Sequence, residues 1–455
     1  MMLLENTDVN KSQWEDLHTY IDNDEMEPFR DEFLSMHPYD QSLFFEKQQE
    51  YVRQHIYTYL SPNETADIME HIELVDIKPF ITEMDPRFAA MVIGEMATDD
   101  AVDILNELDK DVVVSLLTMM DAKDADEIKE LLHYEEKTAG SIMTTEFVAV
   151  HQTKTVKDTM NFLKAEAPDA ETIYYLYVID ADKHLVGVVS LRDLIVAEED
   201  VRISDVMNEN VFAVSVGKDQ EEVSQMMRDY DFLALPVVDF QHHLLGIITF
   251  DDILDVMDEE ATDDYSKLAG VTDTDRPQDG AFAAAKKRLP WLVILSFLGM
   301  LTASLINQFE KTLDQMAVLA IFIPLIAGMS GNTGTQALAV AVRGLATGNF
   351  SKEGKWKLIL REASTGMITG AVCGTVITAI VYVWQGDFFL GLLVGVSIMA
   401  TLIVATLSGA LVPIFMDKLQ IDPAVASGPF ITTINDIISI LIYFGLATAF
   451  MQLLI

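Results

Sequence analysis

The chain has 455 residues, half of them hydrophobic, and carries 72 acidic against 30 basic side chains, a formal net charge of -42. Charge of that sign repels nucleic acid and anionic lipid and concentrates cations, divalent ones most strongly, while the single cysteine, Cys373, excludes a disulfide framework or a thiolate metal centre. Residues 1–285 hold 64 acids against 20 bases, a balance of -44, whereas residues 286–455 come out at +2.

The opening stretch, MMLLENTDVNKSQWED, has neither a basic start nor an apolar core, so no secretory signal is expected and the front portion is placed in the cytosol. From about Trp14 to Tyr134 apolar residues recur at helical spacing, with polar starts at Ser61-Pro62, Asp85-Pro86 and Asp99-Asp100. This pattern predicts an acidic, all-α superhelical domain over residues 1–135.

Between about Ala139 and Met257 strand and helix patterns alternate, and the segment repeats itself. Ser141-Ile142-Met143 with Phe147-Val148-Ala149-Val150 returns 64 residues later as Asp205-Val206-Met207 with Val211-Phe212-Ala213-Val214. The run Val186 to Asp193 returns at an offset of 59 as Leu245 to Asp252. Duplication at this period predicts two related α/β modules, over 136–200 and 201–258. They resemble paired CBS (cystathionine beta-synthase) modules, and the resemblance implies an adenine nucleotide in the cleft between the copies. An Asp at the start of the helix after the last strand suits ribose hydroxyls or a helix cap, which leaves both roles open for Asp193. Tyr175, Ser190, Arg192 and Phe232 complete the candidate nucleotide site, although Tyr175 and Phe232 are equally suited to a core.

The segment DDILDVMDEEATDDYSKLAGV, residues 251–271, predicts an acidic connecting helix within a linker region of 251–285. Carboxylates at i, i+3 and i+4 repel one another along one face. A divalent cation offsets that repulsion, and Mg²⁺, which takes oxygen ligands and keeps several waters, suits loosely spaced carboxylates; the alternative is a solvated linker. Asp99, Asp100 and Asp103 in the first domain, and Glu221 and Asp231 in the second module, offer further carboxylates.

Five apolar stretches in residues 286–455 are long enough to span a bilayer: Trp291–Gln308, Met316–Leu345, Leu358–Trp384, Phe389–Met416 and Ala424–Leu454. With a cytosolic N-terminus they predict a five-helix transmembrane domain whose C-terminus lies outside. Arg343, Lys352, Lys355, Lys357 and Arg361 then fall inside, and Glu310, Lys311, Asp314 and Asp387 outside, as the positive-inside rule requires. No histidine follows His243, so a histidine relay or imidazole metal site in the membrane is excluded. Asp436, in FITTINDIISILIYF, is a lone acid deep in an apolar span and by default a functional candidate. Thr432, Asp436 and Ser439 share a helical face; with Thr433, Asn435 and Asn332 they form the candidate pore lining. Gly328, Gly331 and Gly334 recur every third residue as a close-packing face, and Pro324 with Gly-Asn-Thr-Gly predicts a loosened helix with freed carbonyls. No P-loop or nucleophile motif points to an enzyme.

The motifs ETIYYLYVID, SLRDLIVAE, DYDFLALPVVD, FDDILDVMDEEATDD, GNTGTQ and TTINDI, in this order of domains, resemble the MgtE magnesium channels of bacteria over essentially the whole chain. The resemblance implies a Mg²⁺-selective channel of the cell membrane, a homodimer with its pore between two membrane bundles, and Asp436 of each subunit around a largely hydrated ion. It implies that the connecting helix, about Asp255 to Leu268, plugs the pore. It also implies sensing carboxylates at Asp99, Asp103, Glu221, Asp231, Asp252, Asp255, Glu260, Asp263 and Asp264, which shut the pore when cytosolic Mg²⁺ is abundant, with ATP as a modulator. One departure is Gly428, which precedes Pro429 where some members have Asn. An ion-coupled secondary transporter using Asp436, or a membrane-anchored nucleotide sensor, are the other readings the residues leave open.

Overall fold

The computed structural model describes residues 13–271, 280–346 and 352–451, and the chain divides into two compact units after Leu254. Residues 272–279 of the linker region lie outside the described residues.

In the first unit, ten short helices, α1 to α10, fill residues 13 to 131. Those from α2 onward are eight to ten residues long, too short to persist alone. Local signals start them: Ser61 and Glu64 form a reciprocal capping box at α5 (Pro62–Met69), and Asp85 accepts from two backbone amides at α7 (Pro86–Gly94). Their apolar stripes bury Phe29, Phe33, Phe44, Phe45, Ile56 and Ile68 completely. Two guanidinium–carboxylate forks, Arg30 on Glu64 and Arg53 on Glu83, tie helices distant in sequence.

Each repeat then forms a three-stranded sheet with the middle strand parallel to the first and antiparallel to the third. The first holds β1 (Phe147–His151), β2 (Thr172–Ile179) and β3 (Leu185–Ser190); the second holds β4 (Val214–Ser215), β5 (Ala234–Val238) and β6 (Leu244–Thr249). The helices are α11 (Val156–Glu166), α12 (Leu191–Val196) and α13 (Ile203–Val206), then α14 (Gln220–Tyr230). The copies exchange edge contacts reciprocally: Thr144 pairs with Ile247, and Asn208 pairs with Val188. The repeated glycines permit this, because a Cβ on Gly187 would lie 2.4 Å from Met207 Sδ and one on Gly246 2.6 Å from the Thr144 carbonyl. The repeated Met and Gly of the sequence therefore mark the contact between modules.

α15 (Phe250–Ala269) leaves the second module and runs into the second unit, ending at Gly270 with φ +73°. The second unit then has α16 (Ala281–Gln308), α17 (Glu310–Gln315), a 3-10 turn at Ala317–Phe322, α18 (Ile323–Ala346), α19 (Lys352–Gln385), α20 (Phe388–Lys418) and α21 (Gly428–Ala449). Five of these stretches are long and apolar enough to cross a membrane. α20 is central and buries residues toward its neighbours, including Val394, Ile398 and Leu402 against Tyr443 and Phe444 of α21. α16 buries none of its residues.

The loosened helix expected at Gly331–Gly334 is not found: α18 is continuous through it, and the irregular turn precedes Pro324. Gly331 and Gly334 serve instead as packing notches, as the small-residue face predicts, whereas a Cβ on Gly328 would meet nothing within 4 Å. A Cβ on Gly334 would lie 1.9 Å from Asn435 Nδ2, and one on Gly331 2.7 Å from Thr432 Cγ2, so α18 and α21 approach closely only without them.

Candidate cation and nucleotide sites

In the first unit, α8 (Thr98–Asn106) carries Asp99, Asp100 and Asp103. Its start is held to the first module by a 2.9 Å hydrogen bond between the Thr98 and Thr145 hydroxyls. Asp99 is only 8% exposed, and its Oδ1 is buried with no hydrogen-bond partner among the described residues. Burial, then Asp252, Asp100 and Glu171, push its carboxyl well above the usual range. Burial, then Glu70, Asp252, Asp103 and Glu171, raise Asp100 to about 8. Glu70, just after α5, is raised to about 7, chiefly by burial, although its Oε1 accepts from the Ala97 amide at 3.4 Å. Glu171, exposed at the edge of this group, is also raised, by partial loss of hydration first and then by Asp252 and Asp251.

Glu70, Asp99, Asp100, Asp103, Glu171 and Asp252 thus come from separate elements to one place, and none of the main influences on the four raised groups is a basic side chain. A buried carboxylate oxygen without a donor, among mutually repelling acids, fits a hard divalent cation with oxygen ligands and water. Asp99, Asp100, Asp103 and Asp252 are legible candidates in the sequence; Glu70 and Glu171 are not, since neither lies at a ligand-like spacing from the others. Glu221 and Asp231 lie elsewhere, exposed at opposite ends of α14 and about 15 Å apart along its axis.

In the first module Asp193 is not the N-cap. Ser190 caps α12, and Asp193 closes the box, its Oδ2 accepting from the Ser190 amide at 3.2 Å and hydroxyl at 2.6 Å. Tyr175 lies across the β2–β3 ladder from Ser190, and Arg192 and Asp193 are exposed. Phe232 belongs to a second group, stacked on Tyr230 at 5.5 Å and tilted against Phe212. The equivalent pair in the second module, Thr249 and Asp252, bonds the same way. The copies differ in what the box carboxylate meets next: Asp193 faces solvent, Asp252 the acidic group around Asp99.

In the second unit, α15 carries Asp255, Glu260, Asp263 and Asp264. Its last turn meets the loop before α21, where Lys267 Nζ lies 2.8 Å from Asp263 Oδ2 and 2.5 Å from Asp422 Oδ2. Burial alone would lower the lysine, but hydrogen bonds to Asp263 and Asp422 outweigh it and the net shift is upward. Burial and then Asp422 raise Asp264 to about 6. Asp255 is exposed and Glu260 half-buried.

On α21, Asp436 is half-buried, and its carboxylate makes no hydrogen bond among the described residues; its backbone carbonyl accepts from Ser439 Oγ at 2.9 Å. Thr432 and Thr433 are half-buried beside it, and Asn332 of α18 is exposed. Asn435 and Ser439, expected along the path, instead face the bundle core at 1% and 0% exposure. The Asn435 amide fills the notch at Gly334, and its Oδ1 accepts from Ser408 Oγ at 2.5 Å. Asn435 and Ser439 are therefore committed to packing, and Thr432 also meets α18, at Gly331 and at the Thr335 hydroxyl 3.3 Å away, beside the half-buried Thr433 and Asp436. Glu362 of α19, a further acid in a span, is 6% exposed and paired with Arg361 at 3.1 Å.

Five spanning-length helices, paired sensor-type modules and a gathering of carboxylates define the class: a cation-handling membrane protein. A family profile described as a divalent cation transporter, MgtE, matches residues 323–446; the MgtE intracellular N domain matches 36–137, and the CBS domain 139–200 and 203–259. A magnesium transporter MgtE of Enterococcus faecalis is 52% identical over 95% of this chain and 96% of its own. A crystal structure of the soluble part of a magnesium transporter aligns at 51% identity and TM-score 0.54, over 55% of this chain and 99% of that one. The cytosolic domain of the Mg²⁺ channel MgtE in complex with ATP aligns at 36% identity and TM-score 0.51, over 53% of this chain and 98% of that one. The chain belongs to the MgtE family of divalent cation transporters.

Proposed function

We propose that this protein is a Mg²⁺-selective channel for magnesium uptake across the cell membrane, shut by Mg²⁺ on its cytosolic side. The observation that carries the reading is Asp436, a carboxylate in the middle of an apolar span with no hydrogen-bond donor to satisfy it among the described residues. In this reading two chains form a homodimer, Thr432, Thr433 and Asp436 of each face the shared path, and hydrated Mg²⁺ passes between them. The N-terminal domains are cytosolic and the C-terminus lies outside. Scarce Mg²⁺ removes the ions proposed to bridge the acids around Asp99 and along α15, and the closed arrangement loses its differential stabilisation. Asp255, Glu260, Asp263 and Asp264 are the proposed carboxylates of the plug, while Glu221 and Asp231 act at separate places. Purified protein in liposomes should pass Mg²⁺ inward when the face bearing the acidic domains sees little Mg²⁺, and flux should fall at least tenfold as Mg²⁺ there reaches millimolar levels. Flux indifferent to Mg²⁺ on that face would remove the gating reading.

The nucleotide site rests on Tyr175, Ser190, Arg192, Asp193 and Phe232, with ATP as the ligand. Calorimetry on the full chain should show ATP binding that Asp193→Ala weakens at least tenfold, since a hydrogen bond to a charged group contributes roughly 1.5–3 kcal/mol. Because Asp193 also closes the α12 box, Asp193→Asn is the companion variant, keeping a cap acceptor while removing the charge. Unchanged affinity in both would reduce Asp193 to its capping role.

A further inference from the structure

α15 holds eight acids and one base, Lys267. That base sits in the last turn, where its ammonium bridges Asp263 of its own helix to Asp422 of the loop before α21. Asp422 is fixed in turn, since its Oδ1 accepts from the Ala424 amide at 2.8 Å. Leu268 packs against Leu338, Val342, Ala424, Ala426 and Ile431. The approach is close: a Cβ on Gly270 would lie 3.2 Å from Pro429 Cγ, and one on Gly428 3.2 Å from the Leu268 carbonyl and 3.3 Å from Thr335 Cγ2. A longer side chain at 428 would have to share that space with the last turn of α15.

We propose that Lys267 is a positioning residue, a tethered cation that holds the end of α15 against the Asp422–Pro429 loop without any divalent ion. The inference rests on the proposed role of α15 at the pore and deepens it. A divalent ion leaves when its concentration falls, whereas an ammonium on the same chain stays at high effective concentration. The contact of Lys267 with Asp422 therefore persists while the other acids of α15 lose their ions, so opening begins higher on α15 and not at Gly270. Gly428 supplies the room that lets the last turn seat.

The test measures distance, not transport, so it can fail without the channel reading failing. Full-length protein with Cys373→Ser, Tyr265→Cys and Ile421→Cys, labelled at the two exposed positions, reports the α15-to-loop separation by pulsed electron resonance. In chelator the parent should keep one short, narrow distance. Lys267→Gln should lose about threefold of that population, as expected for ion pairs of up to about 1 kcal/mol, and millimolar Mg²⁺ should restore it. Lys267→Arg should match the parent in chelator, which a merely space-filling role for the lysine would not predict. The proposal is overturned if Lys267→Gln keeps the parent's distance in chelator, if Lys267→Arg behaves like Lys267→Gln, or if the parent itself loses the short distance there.

Discussion

Asp436→Asn should reduce Mg²⁺ flux at least a hundredfold while the protein still folds and inserts. The substitution preserves shape and hydrogen-bonding capacity and removes only charge. Two unit charges 4 Å apart attract by about 1 kcal/mol in water and about 4 kcal/mol at an effective dielectric of 20, and a divalent ion doubles this. Each tenfold step in occupancy or rate requires about 1.4 kcal/mol, so the loss of one such carboxylate per chain is ample. Folding should be nearly unaffected, because the Asp436 carboxylate makes no hydrogen bond among the described residues and the packed face of α21 runs through Ile431, Asn435, Ser439 and Tyr443. Ser439→Ala gives the contrast. Ser439 is buried and, among the described residues, its hydroxyl bonds its own helix, so it should retain flux within about twofold, as a buried hydroxyl returned to an intrahelical carbonyl contributes little to the path. Normal uptake by Asp436→Asn would remove Asp436 from the conduction path.

The acidic group around Asp99 should make the first unit respond to protons and Mg²⁺ in the same direction. With Asp100 near 8, Glu70 near 7 and Asp99 raised, the folded unit holds protons that an unfolded chain releases near pH 4. The stability from these groups is therefore full below about pH 4 and is lost as pH rises through 7 to 8. In chelator, resistance of the front unit to protease should fall as pH is raised from 6 to 8.5. At pH 8 Mg²⁺ should restore it; sodium chloride at equal ionic strength should not, since screening weakens repulsion without bridging carboxylates. Near pH 7, Mg²⁺ binding should release protons, seen as a buffer-dependent heat in calorimetry. Combined Asp99→Asn, Asp100→Asn and Asp252→Asn should raise protease resistance in chelator at pH 8 and abolish both the Mg²⁺ response and the proton release. A wild-type cleavage pattern identical with and without Mg²⁺ at pH 8 would mean that this group is only a solvated surface.

Features that depend on near neighbours along the chain are legible in the sequence by itself. Hydropathy over about twenty residues sets a spanning helix, so the five spans and their order follow directly from it. The 64- and 59-residue offsets mark the duplicated module, and the excess charge of residues 1–285 points to cations. Asp99, Asp103, Asp252 and Asp436 stand out because each is an acid in a conspicuous local setting. Tertiary structure decides which groups meet. Glu171 joins Asp99 across 72 positions and Glu70 joins Asp100 across 30, and no local spacing encodes either meeting. The same reason applies to Gly331 and Gly334, which in isolation suit either a close-packing face or a loosened helix; the notches they form against α21 decide for packing. Asn435 and Ser439 share a helix with Asp436, yet packing at Gly334 and Ser408 turns them inward. Helical period says which residues share a face; only the neighbouring helix determines which face is buried, because burial is a property of the contact and not of either strip of sequence.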